Sequence, residues 1–431
     1  MIDFLYNIVI FLYFLIISPK IIYEYIFKKK YRKSIKKRLG FIEFKNDLVK
    51  NKSKNVIWVH AVSVGETRSV KSLIKDIKSS DENAYVIVSS TTQTGHFFAK
   101  KEIPFADEHV FFPIDFSWIV KRIIKQVNPS LVIFVETDFW YNFLKIAKKN
   151  GAKIVLVSGK ISNRSYNRFL KIKSFLKKLF SMFDFIGVQN EIYKNYFDDF
   201  LDDGKKAIVT GNLKLDERLK CLSEYELNLF RSKFFLKEDD FVITIASTHT
   251  NEEKLILLSL KKMLQEKKNI KIFLVPRHPD RFDAVKNLLN EMNVEFFSYS
   301  DLDKKTIKEK NLILIDTMGF LNVCFQISDV AIVGGSFVKV GGHNILEPIF
   351  LNVPAIFGKY MFSQKELTKL ALDNNCAHQV DLHELEKVLQ KYITDSNYHK
   401  QQKRNCENLE KKCLGAKERT FSEILPFLKN I

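Results

Sequence analysis

Short apolar runs that alternate with lysine-rich amphipathic stretches constrain this chain most. The runs fall at 56–60, 85–89, 110–112, 131–135, 153–157, 185–188 and 207–210. A second series follows at 241–246, 271–275, 311–315, 330–333 and 354–357. Continuous apolar runs of strand length belong to strands buried on both faces, and the helical patterns between them supply the cover. The chain is therefore α/β, with parallel sheets. Its 431 residues exceed one ordinary domain. The charged, helical stretch 221–240 separates the two series and places a junction near 215–225. The last roughly 70 residues carry helical periodicity only.

The N-terminus differs from the rest. Phe4 to Ser18 is apolar except for Asn7 and the closing serine, and Pro19 and Lys20 follow. Eight basic residues then lie between Lys28 and Arg38. Asp3 and the lack of a small-x-small cleavage pattern argue against a signal peptide. A short membrane span and a helix lying in the interface both fit. In either case the basic cluster meets an anionic cytoplasmic leaflet, which puts the main body in the cytoplasm.

Lys and Arg number 69 against 50 Asp and Glu, a formal charge of +19. That excess suits an anionic partner, whether a membrane surface or a phosphorylated substrate. No RNP-type aromatic signature and no zinc-finger spacing occurs, which argues against nucleic acid. The five cysteines are odd in number and lack a C-x-x-C pair, as expected of free thiols in a reducing compartment.

Chemistry gathers where strands end. Trp58 to Glu66 (WVHAVSVGE) runs from a strand through a small-residue turn to a carboxylate. Open α/β sheets hold their ligands at such ends. Glu66 there is a candidate general base, or an exposed acid in a helix's first turn. The run 91–95 (TTQTG) serves a polar ligand or a threonine helix cap. Glu136 and Asp138 close the fourth run, positioned to orient a substrate or to cap a helix. Lys214, in 211–214 (GNLK), sits at the junction, either reaching for a phosphate or solvated.

In the second half, 247–249 (STH), 276–279 (PRHP), 316–319 (DTMG), 334–336 (GGS) and 341–348 (GGHNILEP) follow successive strands. Arg277 suits a phosphate fork. Paired glycines let backbone approach a ligand, and a helix opening near Asn344 aims N–H groups at an anion. Together these describe a nucleotide site. There is no Walker A sequence and no G-x-G-x-x-G fingerprint. Asp301-Leu302-Asp303 matches a metal-binding D-x-D text but leads into Lys304-Lys305 from an exposed loop, so no metal and no other cofactor is expected.

The motifs at 58–66, 91–95, 211–214, 276–279, 316–319 and 341–348, with Glu136, Trp140 and Asn142, in this order, resemble the transferases of 3-deoxy-D-manno-octulosonic acid (Kdo) that build the inner core of lipopolysaccharide. The resemblance spans roughly 1–360. It implies a GT-B fold, two Rossmann-like domains facing a cleft, with an N-terminal membrane-anchor helix. The implied segments are 1–38 for the anchor, 39–220 for the acceptor domain and 221–431 for the donor domain, whose last helices pack back on the first. The implied donor is CMP-Kdo and the acceptor a tetraacyl lipid A precursor, with inversion and no metal. By resemblance Glu66 is the general base, and Glu136 and Lys214 stabilise the transition state. Pro276, Arg277, Met318, Gly319, Phe320, Asn344, Ile345, Leu346 and Glu347 form the CMP-binding segments.

The chain departs from the family in three places. Phe320 stands where the family usually has an acid, so a side-chain contact there is lost. Trp140-Tyr141-Asn142 replaces Trp-Pro-Asn, and 158–168 is only partly family-like. Two other readings stay in view: a GT-B transferase using a UDP-sugar on another lipid, and a non-catalytic basic membrane-binding protein.

Overall fold

The computed structural model describes residues 2–28, 32, 34–44, 55–202, 204–216, 219, 221–266, 269–302 and 309–429. Within the expected basic segment, residues 29–31 and 33 lie outside these, as do Asp303, Lys304 and Lys305. The chain divides into two compact units, Met1–Glu217 with Cys413–Ile431, and Arg218–Lys412.

The first unit holds a seven-stranded parallel sheet. Its strands are β1 (Val56–His60), β2 (Tyr85–Ser90), β3 (Glu108–Phe111), β4 (Leu131–Val135), β5 (Lys153–Gly159), β6 (Phe185–Val188) and β7 (Ile208–Val209). The order is β3-β2-β1-β4-β5-β6-β7. Growth reverses between β1 and β4, which makes that pair the topological switch point. Successive residues of β1 enter opposite cores: Val56 and Trp58 pack on one face, Ile57 and Val59 on the other. This two-sided burial is why the run is continuously apolar.

The second unit repeats the plan with β8 (Phe241–Thr248), β9 (Ile270–Pro276), β10 (Phe296–Ser298), β11 (Leu312–Leu314), β12 (Val330–Val333), β13 (Ala355–Phe357) and β14 (Ala377–Gln379). The order is β10-β11-β9-β8-β12-β13-β14, with its switch point between β8 and β12. Edge strands β10 and β14 correct the sequence reading, which has no strand at 296–298 and only helix after residue 360. Each is three residues long, too short to print a period.

The second unit ends at Lys412, and the end of the chain lies with the first. Helix Ala416–Lys429 belongs to the first unit. Its Ala416, Ile424 and Leu428 are buried with Val155 and Val157. Asp216 receives the Gly415 N–H at 2.7 Å and the Lys417 N–H.

Helix Ile2–Ile26 also belongs to the first unit. Asp3, Asn7, Ile10, Phe14, Ile17, Ile21 and Glu24 are half-buried, at alternating spacings of four and three. That stripe faces one way along the whole helix. Tyr6 Oη donates to Asp115 (2.7 Å), Asn142 Nδ2 donates to Asn7 (3.0 Å) and Tyr141 Oη donates to Asp3 (2.6 Å). Tyr141 thus supplies a hook for this helix. Pro19 has no N–H to give the Leu15 carbonyl, and the Ser18 hydroxyl fills the gap at 2.9 Å. All five cysteines are free.

Candidate active site

In the first unit the site grows from the carboxyl ends of β1 and β4. After β1 the chain turns through Ala61-Val62-Ser63 into helix Val64–Ser80, with Glu66 in its first turn. Glu66 is 9% exposed, so it is not an exposed acid of the first turn. Its Oε2 accepts the Val62 N–H (2.7 Å) and its Oε1 the Ser63 hydroxyl (3.2 Å). Burial pushes its pKa above the ordinary glutamate value. The Val62 N–H, the Lys214 charge and the Ser63 hydroxyl pull it down, and the Glu136 charge pushes it up. A carboxylate so placed is a stronger base than a free one.

Glu136 follows β4 with φ +64°, a left-handed conformation rare for a glutamate and costly by about 1–3 kcal/mol. The turn sends its carboxylate to two lysines. Lys214 Nζ lies 2.5 Å from Oε1 and Lys160 Nζ 3.2 Å from Oε2. The Lys214 contact is an ion pair without the alignment of a hydrogen bond, since Oε1 has no aligned donor. A Cβ on Gly65 would stand 3.7 Å from Lys214 Nζ, so this ammonium also rests against the turn that carries Glu66. Glu66, Glu136 and Lys214 therefore share one sheet edge. Lys160, after β5, joins them although the sequence reading omits it.

Asp138 does not cap a helix. Its Oδ2 accepts from His60 Nε2 (2.9 Å) and Trp140 Nε1 (2.8 Å). Burial raises its pKa, but the His60 and Trp140 bonds outweigh that and hold it below the usual range. Thr92 caps helix Gln93–Glu102 by accepting the Gly95 N–H (3.0 Å) and donates to the Val62 carbonyl (3.0 Å). The threonine run is thus a cap that also braces the Glu66 turn.

In the second unit the glycine pair 334–335 is not open to a ligand. Buried Glu252 accepts the N–H groups of Gly335 (2.7 Å), Ser336 (3.1 Å), Phe337 (2.9 Å) and His249 (3.1 Å). Burial raises its pKa and the four N–H groups pull it back. Glu252→Ala would strand four buried donors, at about 1–3 kcal/mol each. The expected result is a stability loss of at least ~3 kcal/mol by urea unfolding, with Glu252→Gln milder.

The helix expected near Asn344 is a single turn, Leu346–Ile349, and the Asn344 side chain already takes the Leu346 N–H (3.1 Å). One of the N–H groups expected to face an anion is therefore taken within the chain. Ile345 and Leu346 are buried core. Arg277 is exposed directly after β9, where Pro276 ends the strand. Met318 is exposed, and Gly319 takes φ +89°. Phe320 turns inward onto Tyr299, ring centroids 4.2 Å apart, so its side chain is a packing anchor. Asp316 binds Lys286 (2.6 Å) and Ser300 (2.6 Å). Thr248 Oγ1, at the β8 end, is buried without a partner. His249 and His343 meet Nε2 to Nε2 at 2.7 Å, and burial lowers both pKa values, His343 to about 4. Among the described residues no group of three or more His, Cys, Asp or Glu is arranged to hold a metal ion.

The family described as 3-deoxy-D-manno-octulosonic-acid transferase (kdotransferase) matches residues 33–217. The 3-deoxy-D-manno-octulosonic acid transferase of Chlamydophila psittaci is 32% identical over 389 residues, 90% of this chain and 87% of that one. The chain belongs to the Kdo transferase family. It is accordingly a glycosyltransferase. The Kdo transferase of Haemophilus influenzae is 32% identical over 317 residues, 74% of each chain. A bifunctional glycosyltransferase/methyltransferase of Fusobacterium nucleatum is 34% identical over 365 residues, 84% of this chain but only 55% of that longer protein. Among solved structures, the UDP-GlcNAc 2-epimerase of Neisseria meningitidis superposes with a TM-score of 0.53 at 14% identity, covering 87% of this chain and 100% of that one. That likeness is one of fold: a GT-B-like pair of Rossmann-type sheets.

Proposed function

We propose that this Kdo transferase moves Kdo from CMP-Kdo to the lipid A precursor lipid IVA, with inversion and without a metal ion. The observation that carries the reading is Glu66, nearly buried at the switch point of the first sheet and beside the Glu136–Lys214 pair. Its carboxylate takes the proton of an acceptor sugar hydroxyl. The freed oxygen attacks the anomeric carbon of Kdo, and the bond to the CMP phosphate breaks, its electron pair leaving with CMP. Lys214 supplies positive charge at the reacting edge, and Glu136 positions it. In the second unit Pro276 and Arg277, Met318 to Phe320 by backbone, and Asn344 to Glu347 hold CMP, with Arg277 placed for its phosphate.

The acceptor is a membrane lipid, and the N-terminal helix fits that. Asp3–Ile26 is long and apolar enough to cross a membrane by length and composition. Yet its half-buried stripe lies along the protein body for its full length, while Phe4, Leu5, Phe11, Leu12 and Ile16 point outward. We read it as an anchor lying in the anionic interface of the inner membrane on its cytoplasmic side, not as a span. Mass analysis of lipid IVA incubated with the protein and CMP-Kdo is expected to show added Kdo. Turnover of UDP-sugars alone would reject the donor, and no binding of CMP would favour a non-catalytic membrane protein.

A further inference from the structure

A groove of about 400 Å³ lies between the N-terminal helix and the body of the first unit. Phe14, Ile17 and Ile21 form its helix wall, and Phe112, Ile114 and Trp140 its body wall. The size is that of a small-molecule pocket. We propose that it holds one acyl chain of the lipid acceptor, a subsite that rests on the function proposed above.

Three observations converge. First, Thr91 and Trp140, both lining residues, follow β2 and β4, which flank β1 in the sheet. Trp140 donates to Asp138 (2.8 Å) and Thr91 Oγ1 reaches it at 3.4 Å. Thr92 holds the Val62 carbonyl, and the Val62 N–H holds Glu66. The groove thus ends on the same sheet edge as the candidate base. Second, one wall is the helix whose outer face carries exposed Phe11, Leu12, Leu15 and Ile16. A chain leaving the bilayer beside that face has an apolar path inward. Third, Lys20 and Arg38 line the groove, the Arg38 guanidinium donating to the Thr91 carbonyl, with two carboxylates, Glu24 on the helix side and buried Asp115, which accepts from Tyr6, on the body side. Two cations beside an apolar slot match a phosphorylated, acylated lipid. An acceptor hydroxyl seated at Glu66 brings its own chain to this slot, which favours the acceptor over a bilayer phospholipid.

The test places the full-length protein on anionic vesicles with an acceptor bearing photoreactive diazirines on its acyl chains. Crosslinks are expected on Phe14, Ile17 and Ile21 and on 112–114. Crosslinks confined to the outward residues Phe11, Leu12, Leu15 and Ile16 overturn the subsite. Crosslinking needs no turnover, so it reads the groove even where Kdo transfer fails. Ile17→Trp narrows the slot. It is expected to raise KM for the acylated acceptor ~10-fold more than for the deacylated sugar phosphate, the value of roughly two lost methylene contacts. An equal change for both acceptors also overturns the proposal. Loss of transfer to either acceptor by the unaltered protein instead removes the activity reading.

Discussion

Glu66→Gln is expected to lower kcat by ~10²–10⁴-fold with little change in KM, the range for losing a positioned general base. Glutamine keeps an oxygen for the Val62 N–H, so the turn after β1 stays formed. It has no proton-accepting capacity at the acceptor hydroxyl. The pH profile carries the same signature. Burial raises the Glu66 pKa, so the acid limb of kcat/KM in the unaltered protein lies above the ordinary glutamate range. Activity falls as pH drops through it because protonation removes the base. Stability runs the other way. A carboxyl whose pKa is raised by folding contributes stability below its unfolded pKa, and that contribution is lost as pH rises through the folded pKa. Glu66→Gln is neutral at every pH, so its unfolding free energy at pH 8 is expected to equal or exceed that of the unaltered protein. Near-normal turnover by the variant would remove Glu66 from the role. Loss of both turnover and stability would make it a structural acid.

The same residue marks what the sequence can reveal and what it cannot. Glu66 and Glu252 have one local signature, an acid in the first turn of the helix after a central strand. One is a base candidate. The other, with no accessible surface, binds four backbone N–H groups and shapes the loop after β12. Only the path of a distant loop, 334–337, separates them, and no spacing in the chain encodes that path. The strands were legible because burial on both faces writes a continuous apolar run. β10 and β14 were not, being three-residue edges. Lys160 follows β5 as Glu136 follows β4, so strand-end position was a signal for it too. The stripe on the N-terminal helix is hidden because Asp3, Asn7 and Glu24 share it with Ile10, Phe14 and Ile17. A purely apolar count sees a span, while the full stripe sees a docked helix.

Lys214→Met is expected to lower kcat/KM by ~10²–10³-fold, the scale for removing one electrostatic donor from a reacting centre. The argument begins with its partner. Glu136 is 2% exposed and sits between two ammonium groups, Lys214 at 2.5 Å and Lys160 at 3.2 Å. Breaking a fully buried pair costs about 3–5 kcal/mol. Lys214 keeps a third of its side chain in solvent, and Lys160 remains, so a stability loss of about 1–2 kcal/mol is expected instead. Glu136→Gln leaves Lys214 without its anchor but still cationic against Gly65. Its activity loss should therefore be smaller than that of Lys214→Met. The double variant should lose little beyond Lys214→Met alone, because the carboxylate acts by holding the ammonium. Measuring kcat/KM and urea midpoints for the four proteins of this cycle decides the matter. Additive losses in kcat/KM would mean that Glu136 and Lys214 act independently, and Glu136 would then touch the reacting sugar itself.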